Sequence, residues 1–364
     1  MKRIFASGFT LVVTAMLLLL SLQMPAEAAN KNIYLTSVAN RNYQGELINK
    51  GFEMALSPEG ELGKLVFTPV PRPRTWIMDA ALLEDIQYLA ENNSQVAESW
   101  LQRLKSVIGN DNIYATAYGN PDVTYLSALA PSELNFYYLV GQQHLQAVLL
   151  KNVRSEKGTG LANKRATISA EIREFFNTAR QEFTLLSTVV NPKEVESDRA
   201  RLGQLFNPLL SEKQRNSLLK NFELEQPRVI AKLRIVSGRY QITNASEKLP
   251  ITLVNDFNTP VKVDLLFTPL NSRVVFPEYR QITLNPNSKV QVSVPVKSIA
   301  AGNSTVIARF ENGKGKSIGA TGMLEVSSTI ISTTITRFTT AAGVVLILAA
   351  IAQSVRRVRK NRKA

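Results

Sequence analysis

Two carboxylates stand where chemistry would first be sought. Asp79 closes the run Thr75-Trp76-Ile77-Met78, and Asp122 follows the run Ile113 to Tyr118 through the turn Gly119-Asn120-Pro121. Both runs read as short strands, so each acid falls at the carboxyl end of a strand, where α/β barrels and open sheets gather their ligands. Paired acids beside Trp76 and Tyr118 suit a sugar. Carboxylates act on a glycosidic bond or accept from hydroxyls, and aromatic faces cover the apolar side of the ring. Trp76, Asp79, Tyr118, Asn120 and Asp122 therefore form the candidate glycan-binding set. The same positions have a simpler use. Asp79 precedes a helical run from Ala80 and Asp122 precedes another from Val123, so both suit helix N-caps without any ligand. On that reading Trp76 is a core residue.

Other catalytic constellations are missing. His144 is the single histidine and there is no cysteine, which leaves neither a thiolate or His-rich zinc site nor a Ser-His-Asp relay easy to assemble. Gly158-Thr159-Gly160 and Gly313-Lys314-Gly315-Lys316 lack the spacing of a phosphate loop. No catalytic residue, metal or cofactor is assigned.

The elements that would carry these residues fall into two regimes. From Thr75 to Val123 the grammar is strand, helix, helix, strand, helix, which is α/β. Leu65 to Val70 reads as a further short strand, and helices follow near 132–152, 162–188, 193–206 and 211–222, punctuated by Pro192, Pro208 and Pro227. Lys151 to Lys164, rich in Gly and charge, reads as an exposed loop. From about Arg228 to Val326 the apolar residues alternate at the strand period: Leu249, Ile251, Leu253; Val261, Val263, Leu265, Phe267; Val290, Val292, Val294, Val296. Turn residues separate these runs, and about seven strands in roughly 100 residues match an immunoglobulin-like β-sandwich.

The two ends of the chain bear on location. Lys2 and Arg3 precede an apolar stretch ending at Ala26-Glu27-Ala28, the A-x-A pattern of a signal cleavage site, so residues 1–28 are expected to be removed. At the other end, residues 338–355 are uncharged and would reach about 27 Å as a helix, close to the thickness of a bilayer core. Arg356, Arg357, Arg359, Lys360, Arg362 and Lys363 follow at once, and clustered cations mark a cytoplasmic end. The expected order is signal peptide 1–28, an α/β-to-helical extracytoplasmic domain 29–227 that is barrel-like in a reduced form, the sandwich 228–327, a linker 328–337, a transmembrane helix 338–355 and a basic tail 356–364. This is an α+β multi-domain, single-pass protein of the cell membrane with its N-terminus outside. Of the net charge of +14, the tail supplies six, and the exported part mixes its basic residues with acids. Nucleic acid is excluded as a partner, since there is no basic-aromatic patch in the exported part. Membrane lipid is an expected partner.

The order of short motifs resembles a known family. Trp76-Ile77-Met78-Asp79-Ala80-Ala81-Leu82-Leu83, then Trp100-Leu101, then Ala117-Tyr118-Gly119-Asn120-Pro121-Asp122-Val123 resemble the W-hydrophobic-D-P-A-L-L, W-L, P-Y-G-D-P-D-V series of a large actinobacterial envelope family of unknown function. Pro250 to Asp256, Pro295-Val296-Lys297 and the C-terminal segment look like that family's sandwich and anchor. The resemblance implies an outward-facing envelope protein, often encoded beside the lipid II flippase. A link to the export or assembly of peptidoglycan precursors follows from it, with the flippase, the precursor or an envelope glycan as partner. Larger members carry an N-terminal part similar to a barrel of carbohydrate-active enzymes. This chain is much shorter, with Ala80 in place of the family's Pro and Asn120 in place of its Asp. Those departures favour a non-enzymatic binding or scaffold factor. The alternatives are a hydrolase or deacetylase using Asp79 and Asp122, and a structural spacer.

Overall fold

The computed structural model describes residues 30–159, 165–329 and, as a helical backbone, 333–361, with the side chains of that helix described over 340–354. The signal sequence with Ala26 and Ala28, and the tail residues Arg362 and Lys363, lie outside the described residues. The chain divides into two compact units, one of residues up to 180 and 196–225, the other of residues 181–195 and 226 onward.

The first unit is built on four parallel strands, β1 (Lys31–Leu35), β2 (Arg74–Met78), β3 (Asn112–Ala115) and β4 (Arg154–Ser155), which lie side by side in chain order. That is the winding of a barrel segment; a doubly wound sheet reverses its order at a switch point. Helix pairs make the crossovers: α1 (Phe52–Leu56) and α2 (Glu61–Phe67), then α3 (Ala80–Glu91) and α4 (Gln95–Ile108), then α5 (Val123–Leu129) and α6 (Pro131–Leu149). All five residues of β2 are buried, as expected of a parallel strand covered on both faces. The local signals are clear in α4, where Ser94 Oγ accepts from Ala97 N–H at the start and Gly109, at a φ of 52°, follows the end.

Two expectations fail here. The apolar run from Leu65 does not form a strand, because Leu62 and Val66 are buried one turn apart on α2, and Pro69 and Pro71 follow its end. The stretch from Lys151 is not wholly an exposed loop, since it contains β4, with Val153 and Glu156 buried on either side. After β4 come α7 (Ala170–Leu186), the short helix α8 (Glu196–Arg201), a 3-10 turn at Leu202–Phe206 and α9 (Glu212–Ile230), which runs through Pro227 rather than stopping before it.

The second unit is a β-structure of nine strands: β5 (Leu233–Ile235), β6 (Gly238–Ile242), β7 (Ser246–Asn255), β8 (Val261–Pro269), β9 (Val274–Val275), β10 (Tyr279–Leu284), β11 (Ser288–Ser298), β12 (Gly302–Glu311) and β13 (Ser317–Ser328). They hydrogen-bond in one continuous order, β10-β8-β12-β13-β5-β7-β11-β9, with β6 also on β13. The sheet curls at β5, which pairs parallel with β13 on one side and antiparallel with β7 on the other. The unit has nine strands where about seven were expected, and its two layers, β10-β8-β12-β13 with β6 and β7-β11-β9, are joined into one curled sheet only through β5, whose pairing with β13 is the single pair Ala320–Arg234. Its interior holds Leu249, Ile251 and Leu253 of β7, Val261, Val263 and Leu265 of β8, Val294 and Val296 of β11, and Val306 and Phe310 of β12.

The expected transmembrane helix is also corrected. A helix, α10 (Thr333–Asn361), does form at the C-terminal end, and its backbone includes Arg356, Arg357, Arg359 and Lys360. Among the described residues, however, no helix is long and apolar enough to cross a membrane.

Candidate functional site

The carboxyl ends of β2 and β3 bring Asp79 and Gly119 together. Asp79 is 2% exposed, and its Oδ1 accepts from Ala81 N–H at 3.1 Å, the N-cap bond of α3, and from Gly119 N–H at 2.9 Å. Burial pushes its carboxyl up to about 7 against the pull of those two bonds, with Asp85 and Glu84 adding repulsion. A carboxyl protonated near neutrality is what a general acid requires; this one ties the start of α3 to the loop after β3. Asp122 is likewise buried and engaged on both oxygens, capping α5 through Tyr125 N–H at 2.9 Å and receiving Ala166 N–H at 2.9 Å. Both acids have the N-cap geometry.

The aromatic pair is not brought together. Trp76 has 0% exposure and its indole donates to Asp111 at 3.0 Å. Asp111 immediately precedes β3, so the indole is tied at the amino side of the sheet, away from Asp79. The Asp111 carboxylate also receives Arg74 at 2.6 Å and Arg72 at 2.7 Å, and these bonds outweigh burial and hold it below its ordinary range. Tyr118 is 1% exposed, and its hydroxyl donates to Glu84 at 2.6 Å. Neither ring presents a face to a sugar. Asn120 sits in the tight turn after Gly119 at a φ of 49°, a left-handed conformation that Asn tolerates.

A cluster that the sequence did not reveal lies around His144 on α6. Its Nδ1 makes a short contact with Glu84 of α3, and its Nε2 lies 3.2 Å from Glu196 of α8. Tyr118 meets the imidazole edge-on at 5.8 Å between centroids. The Glu84 hydrogen bond raises His144 above its ordinary value despite burial. Burial alone would raise Glu84, but the bonds from His144 and Tyr118 outweigh it and leave the carboxylate below its usual value. Only the i,i+4-type neighbours of a residue on one helix are readable from spacing, and these partners are 60 and 52 residues away. The two carboxylates face opposite nitrogens of one ring, so they do not converge on a cation. Among the described residues no group of three or more His, Cys, Asp and Glu is placed to hold a metal.

The segment 196–207 covers this carboxyl edge. Asn207 Nδ2 donates to Ser37 O after β1 at 2.8 Å and to Gly119 O after β3 at 3.0 Å, while Asp122 N–H donates to Phe206 O at 2.9 Å. A Cβ on Gly119 would lie 2.7 Å from Gln204 Cγ, and one on Gly203 would lie 2.9 Å from Tyr118 O, so these segments touch along their backbones. Arg199 grips Glu133 of α6 through two bonds of 2.7 Å, and Arg201 donates to Asn42 O at 2.7 Å.

These features define an α+β protein whose parallel-sheet edge is closed by its own chain and whose second unit is a curled sheet. The chain belongs to the family of unknown function DUF6049, whose pattern matches residues 139–363. No curated protein matches it. Among solved structures it is similar to the native conformation of Escherichia coli alpha-2-macroglobulin, at 12% identity over 27% of this chain and 6% of that one, with a TM-score of 0.22. It is also similar to WR4, a C. elegans MSP family member, at 5% identity over 27% of this chain and 99% of that one, with a TM-score of 0.21. A PapD-like domain of human CEP192 matches at 13% identity over 28% of this chain and 86% of that one, with a TM-score of 0.22.

Proposed function

We propose that this protein is a non-enzymatic binding or scaffold factor of the cell envelope, acting with the machinery that exports or assembles peptidoglycan precursors. One observation carries the non-enzymatic part. At the sheet edge where a barrel enzyme holds its reacting groups, Asp79 and Asp122 serve as caps, Tyr118 and His144 are bonded to Glu84, and residues 196–207 lie over the top. The export signal in the sequence and the family resemblance of its motifs support the envelope and precursor part. An outward-facing position with an envelope glycan, a precursor or the flippase as partner follows from that reading.

Two experiments test it. Crosslinking in native envelopes followed by mass spectrometry should recover the lipid II flippase or a wall synthase as an adduct; consistent absence of both removes the proposed pathway. Incubation of the purified protein with muropeptides and envelope glycans should leave them intact. Turnover abolished by Asp79→Asn or Asp122→Asn would overturn the non-enzymatic reading, because Asn still caps a helix, keeping both bonds at position 79 and giving up only the one from Ala166 at position 122.

A further inference from the structure

The imidazole of His144 has a carboxylate oxygen at each nitrogen. A neutral imidazole carries one N–H, so one of its two nitrogens would then turn a lone pair toward a lone pair of Glu84 or Glu196. Only the imidazolium donates to both. The three groups sit on three helices: Glu84 on α3, His144 on α6 and Glu196 on α8. Among the described residues, Tyr118 donates to the second oxygen of Glu84, the charge of Arg201 of α8 acts on Glu84, and Asp79 interacts with Glu84 by repulsion. The other cation of α8, Arg199, is engaged with Glu133 of α6. His144 is half-buried, with 20% of its side chain exposed, so protons reach it without unfolding.

We propose that His144 is a pH-operated latch: as imidazolium it fastens the first turn of α8 to α3 and α6, and on losing its proton it releases that turn from the carboxyl edge of the sheet. The release is local. Asn207 holds the segment beyond α8, and Arg199 and Arg201 keep α8 tethered only through their side chains, by bonds that do not involve the imidazole. Because folding raises the proton affinity of the ring, the latch is fully closed below the histidine's ordinary titration range and opens as pH rises through the folded value.

The chain has one histidine, so NMR of the full chain labelled at histidine gives a single titrating ring. Its pKa should lie above about 6.5. Hydrogen exchange of the amides of 196–201, corrected for the intrinsic pH dependence, should then quicken ~10-fold across that titration, the scale of one charge-assisted hydrogen bond. Exchange in β2 and β3 should stay constant. His144→Gln should exchange at 196–201 at the faster rate throughout, and Glu196→Gln should move the histidine titration down toward 6.5. A histidine that titrates at or below its ordinary value overturns the proposal. So does protection of 196–201 that is the same in wild type at pH 5.5 and 9. If the Gln variant fails to fold, these two wild-type readings decide alone.

Discussion

Replacing Asp79 with Asn isolates the cost of a buried carboxylate. Folding raises this group from 3.8 to about 7, and each unit is worth about 1.36 kcal/mol, so its full ionisation in the folded state costs about 4 kcal/mol. The folded protein keeps a proton that the unfolded chain has already released, so stability falls as pH rises from about 4 to about 7 and levels off above. Asn cannot ionise, yet its Oδ1 still accepts from Ala81 and Gly119. The variant should therefore gain about 4 kcal/mol relative to wild type between pH 4 and pH 8. Urea unfolding followed by tryptophan fluorescence measures it, because Trp76 and Trp100 both lie in the first unit, both fully buried, and the second unit has none. Parallel stability curves for the two proteins over this range would refute the reasoning: the carboxylate would then be as well solvated folded as unfolded.

Three further outcomes follow from the contacts. Gly141→Ala places a Cβ 2.5 Å from Thr116 O and 3.1 Å from Tyr118 N, so α6 must move off the end of β3, and the tryptophan-reported transition should lose about 1–3 kcal/mol. Arg199→Ala leaves Glu133, whose side chain is 2% exposed, without its bidentate partner; a loss of about 3–5 kcal/mol is expected in the same assay, less if the vacated space admits water. In the second unit, Asn255 is fully buried, donates to Thr259 O at 3.0 Å and Asn285 O at 2.9 Å, and accepts from Phe257 N–H. Asn255→Ala should lower the calorimetric transition of the sheet by about 2–3 kcal/mol and leave the tryptophan transition in place.

Much of this was legible from local pattern. The alternations at 249–253 and 261–267 are buried on β7 and β8, and Asp79 and Asp122 have the cap geometry that their positions suggested. What escaped depended on distant partners. In β11, Val294 and Val296 are buried while Val290 is exposed, although β7 pairs with the strand from Ser288 to Lys297, and alternation does not say where burial ends. β4, at two residues, is too short to carry a period, and β1 and β4 are held by pairing along β2 and β3. The His144 cluster was invisible for a similar reason: its three carriers meet only after the sheet has wound.

The division of the chain has a practical and a biosynthetic consequence. Residues 181–195 belong with the curled sheet, yet they are followed by thirty residues that belong with the parallel one. The two bodies are thus interleaved along the polypeptide rather than strung end to end. A gene fragment cut anywhere near residue 227 strands a borrowed piece in the wrong half, so neither half can be produced intact by simple truncation. During synthesis, the leading body has to wait for its last thirty residues until after the first contribution to the trailing body has emerged.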